Sequence, residues 1–332
     1  MTRQHSLWIV SGATGTVYGL VIRGLLQPGV PRSTWVPSVI WVMSIAFIAV
    51  VPFAMGYLSV ATKARREHTT IVGRIFVPWV AVAISLVVSM AVLWEGFICV
   101  VMLSPIALIC ASLGGLIAGW LVTPSQPTVA TASMLIVALL PMFTGGVEHH
   151  FRAVEQVRSV ESEVMIRASA ETVWQNIDRV RTIEPNELPI SWNRIIGFPR
   201  PLEATLSHDG LGGVRHATFA GRVLFIETID VWEPRRRLGF SIHADSDHIP
   251  PTTLDEHVKV GGAYFDVLHG EYVLDPQPGG MVRLQLTSRH RVSTDFNWYA
   301  QIWTDAVMRD VQRSILYVVR NRCEAAAAPP GS

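Results

Sequence analysis

Glu227 and His290 are the residues of the C-terminal half whose types and settings could move a proton. In the stretch Arg222–Val231, alternation puts Val223, Phe225, Glu227, Ile229 and Val231 on one strand face, so a carboxyl group sits in an apolar row. His290 has the parity of Leu284, Leu286 and Val292 in the last apolar stretch, and Tyr272 has that of Leu268 and Leu274. A carboxyl group turned into an apolar pocket has a raised pKa, which suits general acid or base work beside an imidazole. The alternative is that Glu227 pairs with an arginine at a rim and His290 is a hydrogen-bonded core group, leaving no reaction. In either case Trp174, Phe225, Glu227, Phe240, Tyr272, His290, Trp298 and Trp303 are the candidates to line a ligand pocket.

Two more charges stand out because they lie in apolar sequence. Arg23 and Glu95 fall near the ends of long hydrophobic runs, where an unpaired charge is costly. They can form an ion pair tying two helices, reach water separately, or serve a substrate or proton. Glu148-His149-His150 offers metal-ligand types, but neighbouring helix positions face different directions and no third partner follows, so a solvated helix end is expected. No nucleophile elbow, zinc-protease, P-loop or dinucleotide fingerprint occurs, and the three cysteines form no close pair. Neither a metal nor a cofactor is expected.

The elements around these residues divide into two kinds. Half of the 332 residues are hydrophobic and only 16% are charged, where soluble proteins carry roughly a quarter; mean hydropathy is +0.35. Residues 1–150 hold 7 Lys/Arg and 3 Asp/Glu, and residues 151–332 hold 20 and 23. Neither half is strongly basic, so nothing points to nucleic acid. Five segments approach the roughly 20 residues that cross a bilayer: Leu7–Leu26, Trp35–Tyr57, Ile75–Trp94, Leu103–Val122 and Thr128–Val147. The apolar stretch Gly96–Met102 can extend the fourth span or form a re-entrant piece. Gly15–Gly19 and Gly115–Gly119 are GxxxG patterns that let helices approach closely in lipid, though glycine is also simply common there. Lys63, Arg65, Arg66 and Arg74 make one loop basic, which assigns it to the cytoplasm. Five spans then leave the C-terminal domain outside the cytoplasm, with the lipid bilayer as the chain's first partner.

After a polar linker over 151–159, the pattern becomes a strand (Ser162–Arg167) and a helix capped at Ser169 and running to Arg181. A Pro-rich stretch precedes strands near 202–206, 214–219, 222–231, 238–244, 264–274 and 282–292; a helix over Phe296–Cys323 and a disordered tail over 324–332 follow. Asp275-Pro-Gln-Pro-Gly-Gly280 is a hairpin signal, and Arg235-Arg-Arg237 reads as a solvated turn, with anionic headgroups as its functional alternative.

Ala168-Ser-Ala-Glu-Thr-Val-Trp174, Gly212-Gly-Val-Arg215, Val231–Phe240 and the Gly270–Gly280 hairpin come in an order that resembles the START-like, or SRPBCC, superfamily of polyketide cyclase/dehydrase and lipid transport proteins. The likeness covers about residues 160–323 and is nearest to bacterial members that carry such a domain behind membrane helices. It implies an α-helical transmembrane bundle followed by an α+β helix-grip domain, located in a bacterial plasma membrane. It also implies a deep cavity for an apolar or amphipathic small molecule, and no universal catalytic residues. A membrane-anchored binding module for carriage or sensing is the first expectation. A cyclase- or dehydratase-like enzyme using Glu227 and His290 is the other.

Overall fold

The computed structural model describes residues 3–27, 40–151, 154–245, 254 and 257–327. The first residues of the expected second span, the Pro28–Pro31 turn and the last part of the tail lie outside them. The chain divides into two units, one of Met1–Val154 with Thr294–Phe296, the other of Glu155–Ser293 with Asn297–Ser332.

Among its described residues the first unit holds five long helices: α1 (Arg3–Leu25), α2 (Ala46–Ala64), α3 (Ile71–Ala91), α4 (Phe97–Leu121) and α5 (Pro127–Glu148). Among the described residues, α2 to α5 are long and apolar enough to cross a membrane. The expected fifth, α1, is 23 residues long, but Ser11, Thr14, Thr16, four glycines and Arg23 dilute its apolar character. The expected five are therefore four by this measure. Gly96 adopts an extended conformation as the N-cap of α4, so residues 97–102 open that helix and form no re-entrant piece.

α2 is the central helix of its unit, with nearly every residue buried. It can be surrounded because glycines on its neighbours bring backbones together. A Cβ on Gly56 of α2 or Gly114 of α4 would collide with the facing Ala111 or Phe53 carbonyl, and one on Gly15 of α1 with Met55. α2 begins with a π-turn over Ala46–Val50, followed by Pro52, which has no N–H to give to the turn before it. The carboxylate of Glu148, from the end of α5, accepts from the Ile45 and Ala46 N–H groups at 2.6 and 3.0 Å. A negative group at a helix N-terminus satisfies orphan donors and the helix dipole together.

The second unit is a seven-stranded antiparallel sheet gripping one long helix. β1 (Gln156–Ile166), β2 (Pro201–Leu206), β3 (Val214–Phe219), β4 (Val223–Glu233), β5 (Arg237–Asp245), β6 (Phe265–Gln277) and β7 (Met281–Val292) pair in the order β1-β7-β6-β5-β4-β3-β2. Tight turns make most of these neighbours sequential; the β6–β7 turn uses left-handed Gly279 and Gly280, a conformation glycine adopts without strain. Bulges at Pro201/Glu203, Ile229/Val231 and Val267/His269 bend the sheet. The last helix, α8 (Asn297–Ala327), packs on β1 and β7. Arg158 on β1 holds Asp305 of α8 through two hydrogen bonds of 2.9 and 2.7 Å. Fully buried Gln312 accepts from Ser162 and donates to Ser288 and the Val160 carbonyl.

Three boundaries differ from expectation. β1 starts at Gln156, inside the expected linker, because β7 offers a partner to all eleven of its residues. The helix after Ser169 ends early: α6 spans only Ala170–Trp174, since Val180 must be extended to exchange backbone hydrogen bonds of 2.8 Å with Ala204. α8 continues through Ala327, so residues 324–327 are helical rather than tail. A short α7 (Trp192–Ile195) lies within the Pro-rich stretch.

Candidate functional site

Between the concave face of the sheet and α8 lies a cavity of about 120 Å³. Its walls are mainly apolar, with Phe225 and Ile242 from the sheet, Phe265 at the start of β6, and Met308 and Val311 from α8. Arg215, Glu227, Tyr272, Ser288 and Gln312 bring polar atoms to it.

The first three of these form a cluster. Arg215 on β3 and Glu227 on β4 are direct cross-strand partners, and an Nη1–H of Arg215 donates to Glu227 Oε2. Both side chains are buried, at 5% and 8% exposure. The guanidinium lies over the Phe240 ring, 5.3 Å from its centroid, and that ring tilts against Tyr272 at 6.1 Å. Gly270 on β6 makes room, since a Cβ there would strike Phe240. Burial pushes the Glu227 carboxyl above the ordinary carboxylate value, with the Arg215 charge pulling against it. Burial likewise lifts the Tyr272 phenol, so Tyr272 stays a neutral donor. For Arg215, burial works against the charge, but Glu227 outweighs it and the guanidinium remains charged.

Of the eight residues expected at a pocket, Phe225, Glu227, Phe240 and Tyr272 line this cavity. The other four lie elsewhere. Trp174 belongs to the solid core, edge-on to Trp232 at 5.0 Å. Trp298 is 58% exposed, and Trp303 packs on Trp192 and Tyr299. Periodicity tells which helix residues share a face, not which stretch of that face the sheet covers; the first turns of α8 are less covered than those from Asp305 onward. His290 is fully buried, its Nε2 lying 3.3 Å from Thr304 Oγ1 and 3.4 Å from Asp305 Oδ1. No hydrogen bond joins it to Glu227 among the described residues. Their strands are three places apart in the sheet, roughly 14 Å at the usual spacing. The proposed acid/base couple is thus two separate sites, each with its own partner.

Arg215 is the residue that sequence reasoning missed, although a signal was there. The turn over Ala220–Arg222 sets Phe219 opposite Val223, and counting outward from that pair puts residue 215 opposite residue 227. Met308, Val311 and Gln312 were also missed, because their stripe on α8 reads as ordinary core.

In the helical unit, Arg23 Nε donates to Glu95 Oε1 at 2.6 Å, with both side chains under 10% exposed. The Arg23 guanidinium also lies 5.9 Å from the Trp94 ring centroid. Lys63, expected in a solvated basic loop, is buried instead. It pairs with Glu67 at 3.0 Å and lies over the Trp8 ring at 4.5 Å. Glu148, His149 and His150 face different partners: the α2 terminus, the Trp41 ring and the Gly146 carbonyl. Arg235 adopts a left-handed turn conformation, and Arg237 pairs with Glu271 and Glu233.

No protein-family model matches the chain, and no curated protein does. Solved structures do resemble it. A conserved protein from Geobacillus kaustophilus is 12% identical, with 51% of this chain and 97% of that one covered and a TM-score of 0.33. An aromatase/cyclase from Streptomyces sp. R1128 is 18% identical over 53% of this chain and 99% of its own, at 0.32. A point mutant of norcoclaurine synthase from Thalictrum flavum is 14% identical over 51% and 97%, at 0.30.

Proposed function

We propose that the chain is a membrane-tethered binding module whose α+β unit holds a small apolar molecule between its sheet and α8, for carriage or sensing. The observation that carries this reading is the cavity itself, apolar over most of its walls with a few polar groups, the buried Arg215–Glu227–Tyr272 cluster among them, as small-molecule sites generally are. An engineered apolar cavity of roughly 150 Å³ takes benzene, so 120 Å³ suits a ring-sized body or the end of a longer molecule. The four long apolar helices supply the tether. On this reading the ligand comes from the bilayer, where apolar molecules concentrate.

The experiment is native mass spectrometry of the full chain released from detergent, with extraction of co-purifying small molecules. Wild type should carry a ligand. Phe225→Ala, which removes a wall, should lose most of it. Trp298→Ala, on the exposed start of α8, should retain it. Equal occupancy in all three proteins would remove the cavity from the account.

A further inference from the structure

Four large apolar side chains lie open to solvent around α7 and the start of α8: Ile190 at 95% exposure, Ile195 at 72%, Ile302 at 61%, and Trp298. One such residue is ordinary, but a cluster marks an interaction surface. Hydrogen bonds hold this one together. Between the first two isoleucines, Asn193 Nδ2 donates to the Val307 carbonyl at 2.9 Å and Ser191 Oγ donates to Asp310, which fastens the segment to α8. The Trp192 ring then lies 6.4 Å from Trp303, whose ring meets Tyr299, and Tyr299 meets Trp298. Trp298 and Ile302 are four residues apart, so they share a face of their helix. Three observations say what covers it. Indole and phenol rings among isoleucines suit the layer where headgroups meet acyl chains. The nearby carboxylates Asp305 and Asp310 are engaged by Arg158 and Ser191, while Arg309 and Arg313, farther along the same stripe of α8, are exposed and suit lipid phosphates. Finally, Thr294–Phe296, immediately before α8, belong to the helical unit. There the Trp41 side chain hydrogen-bonds Asp295, and its ring lies 6.1 Å from His149, where the apolar helix α5 ends. Trp298 follows Phe296 by two residues, no more than about 7 Å of chain.

We propose that α7 and the first turns of α8 form a docking face that seats on the surface of the bilayer crossed by the tether, with Trp298 and Ile302 dipping to the boundary between headgroups and acyl chains. This rests on the tether in the reading above and is independent of the cavity. A face of this kind binds by its buried apolar area, and neighbouring cations add to it on anionic lipid.

The test places the full chain in nanodiscs of phosphatidylcholine and phosphatidylglycerol brominated on the upper part of the acyl chains, since bromine quenches an indole only at close range. Trp298→Phe, Trp120→Phe and Trp232→Phe each remove one emitter and keep an aromatic ring, so subtraction from wild type gives the quenching of each tryptophan. Trp120, 77% exposed near the end of α4, reports the tether, and Trp232, packed on the core of the α+β unit, reports the protein interior. Trp298 should be quenched as strongly as Trp120, and Trp232 hardly at all. The double substitution Ile195→Glu with Ile302→Glu should weaken the quenching of Trp298 by about twofold or more, because a charge is costly at that depth, and should leave Trp120 unchanged. Quenching of Trp120 with none of Trp298 would overturn the docking and leave the tether standing, whether water or a second copy of the chain covers the face. Undiminished quenching of Trp298 in the double variant would overturn the assignment of this face as the seat. No quenching of either Trp120 or Trp298 would take down the tether, and the docking with it.

Discussion

Arg215 and Glu227 depend on each other because neither is close enough to water for solvation to replace its partner. Arg215→Met leaves a buried carboxyl without its cation, a change worth about 3–5 kcal/mol of destabilisation. The double substitution with Glu227→Gln should cost clearly less than the two single costs added together. Thermal unfolding of the full chain in detergent, followed by tryptophan fluorescence, supplies all four values; strict additivity would mean that the pair is not coupled. His290 bears on pH rather than on charge pairing. Burial pulls its pKa below the usual imidazole value, Asp305 opposing. Burial alone would raise Asp305, but Arg158 keeps it below the ordinary carboxylate range and therefore charged. The unfolded chain takes up a proton near pH 6.5 and the folded one only at lower pH, so stability rises with pH across that window. The contribution of His290 is complete above the ordinary imidazole value and is lost as pH falls through the folded one. Its slope is limited to about 1.4 kcal/mol per pH unit for one proton. His290→Gln should flatten this slope, and an unchanged profile would assign the dependence to other groups. Strand parity was enough to find Phe225, Glu227 and Tyr272 in the sequence. It could not show that His290, on the same concave face, meets α8 instead of the cavity.

At the scale of elements, the bulge in β4 matters most. Alternation alone puts Val231 on the inner face with Glu227 and Ile229. The extra residue between Ile229 and Val231 reverses the parity, and Trp232 packs inward against the core. Trp232→Ala should therefore destabilise the unit by about 2–4 kcal/mol, while Val231→Ala stays within about 1. Chemical denaturation of the two variants checks it, and the opposite order would restore an unbroken strand. No sequence signal announces this bulge, because nothing local in Thr228-Ile-Asp-Val-Trp232 demands one. The shortness of α6 has the same kind of cause, since its end is dictated by the distant strand residue Ala204. The hairpin at Pro278-Gly-Gly280 was legible because the glycines are a local requirement of the turn.

For the whole molecule, the composition break near Glu148 falls within a few residues of the boundary at Val154. Charge was less informative. Lys63 is buried against Trp8 rather than displayed in a loop, which leaves Arg65, Arg66 and Arg74 to mark a side of the membrane. If α3, α4 and α5 all cross, residue 64 and residue 324 lie on opposite sides, whatever α1 does. Paired reporter fusions at those positions should give opposite readings; the same side for both would mean an even number of crossings between them.

The carboxylate that closes the start of α2 has a consequence for the order of events during synthesis. Glu148 lies 103 residues beyond Ile45, whose N–H it accepts. The central helix therefore leaves the ribosome long before its own cap exists, and Ile45 and Ala46 must find temporary partners until α5 is finished. The most enclosed helix of the unit is thus among the last to be completed. A nascent chain stopped just short of residue 148 has every residue of α2 and still lacks the group that secures its first turn.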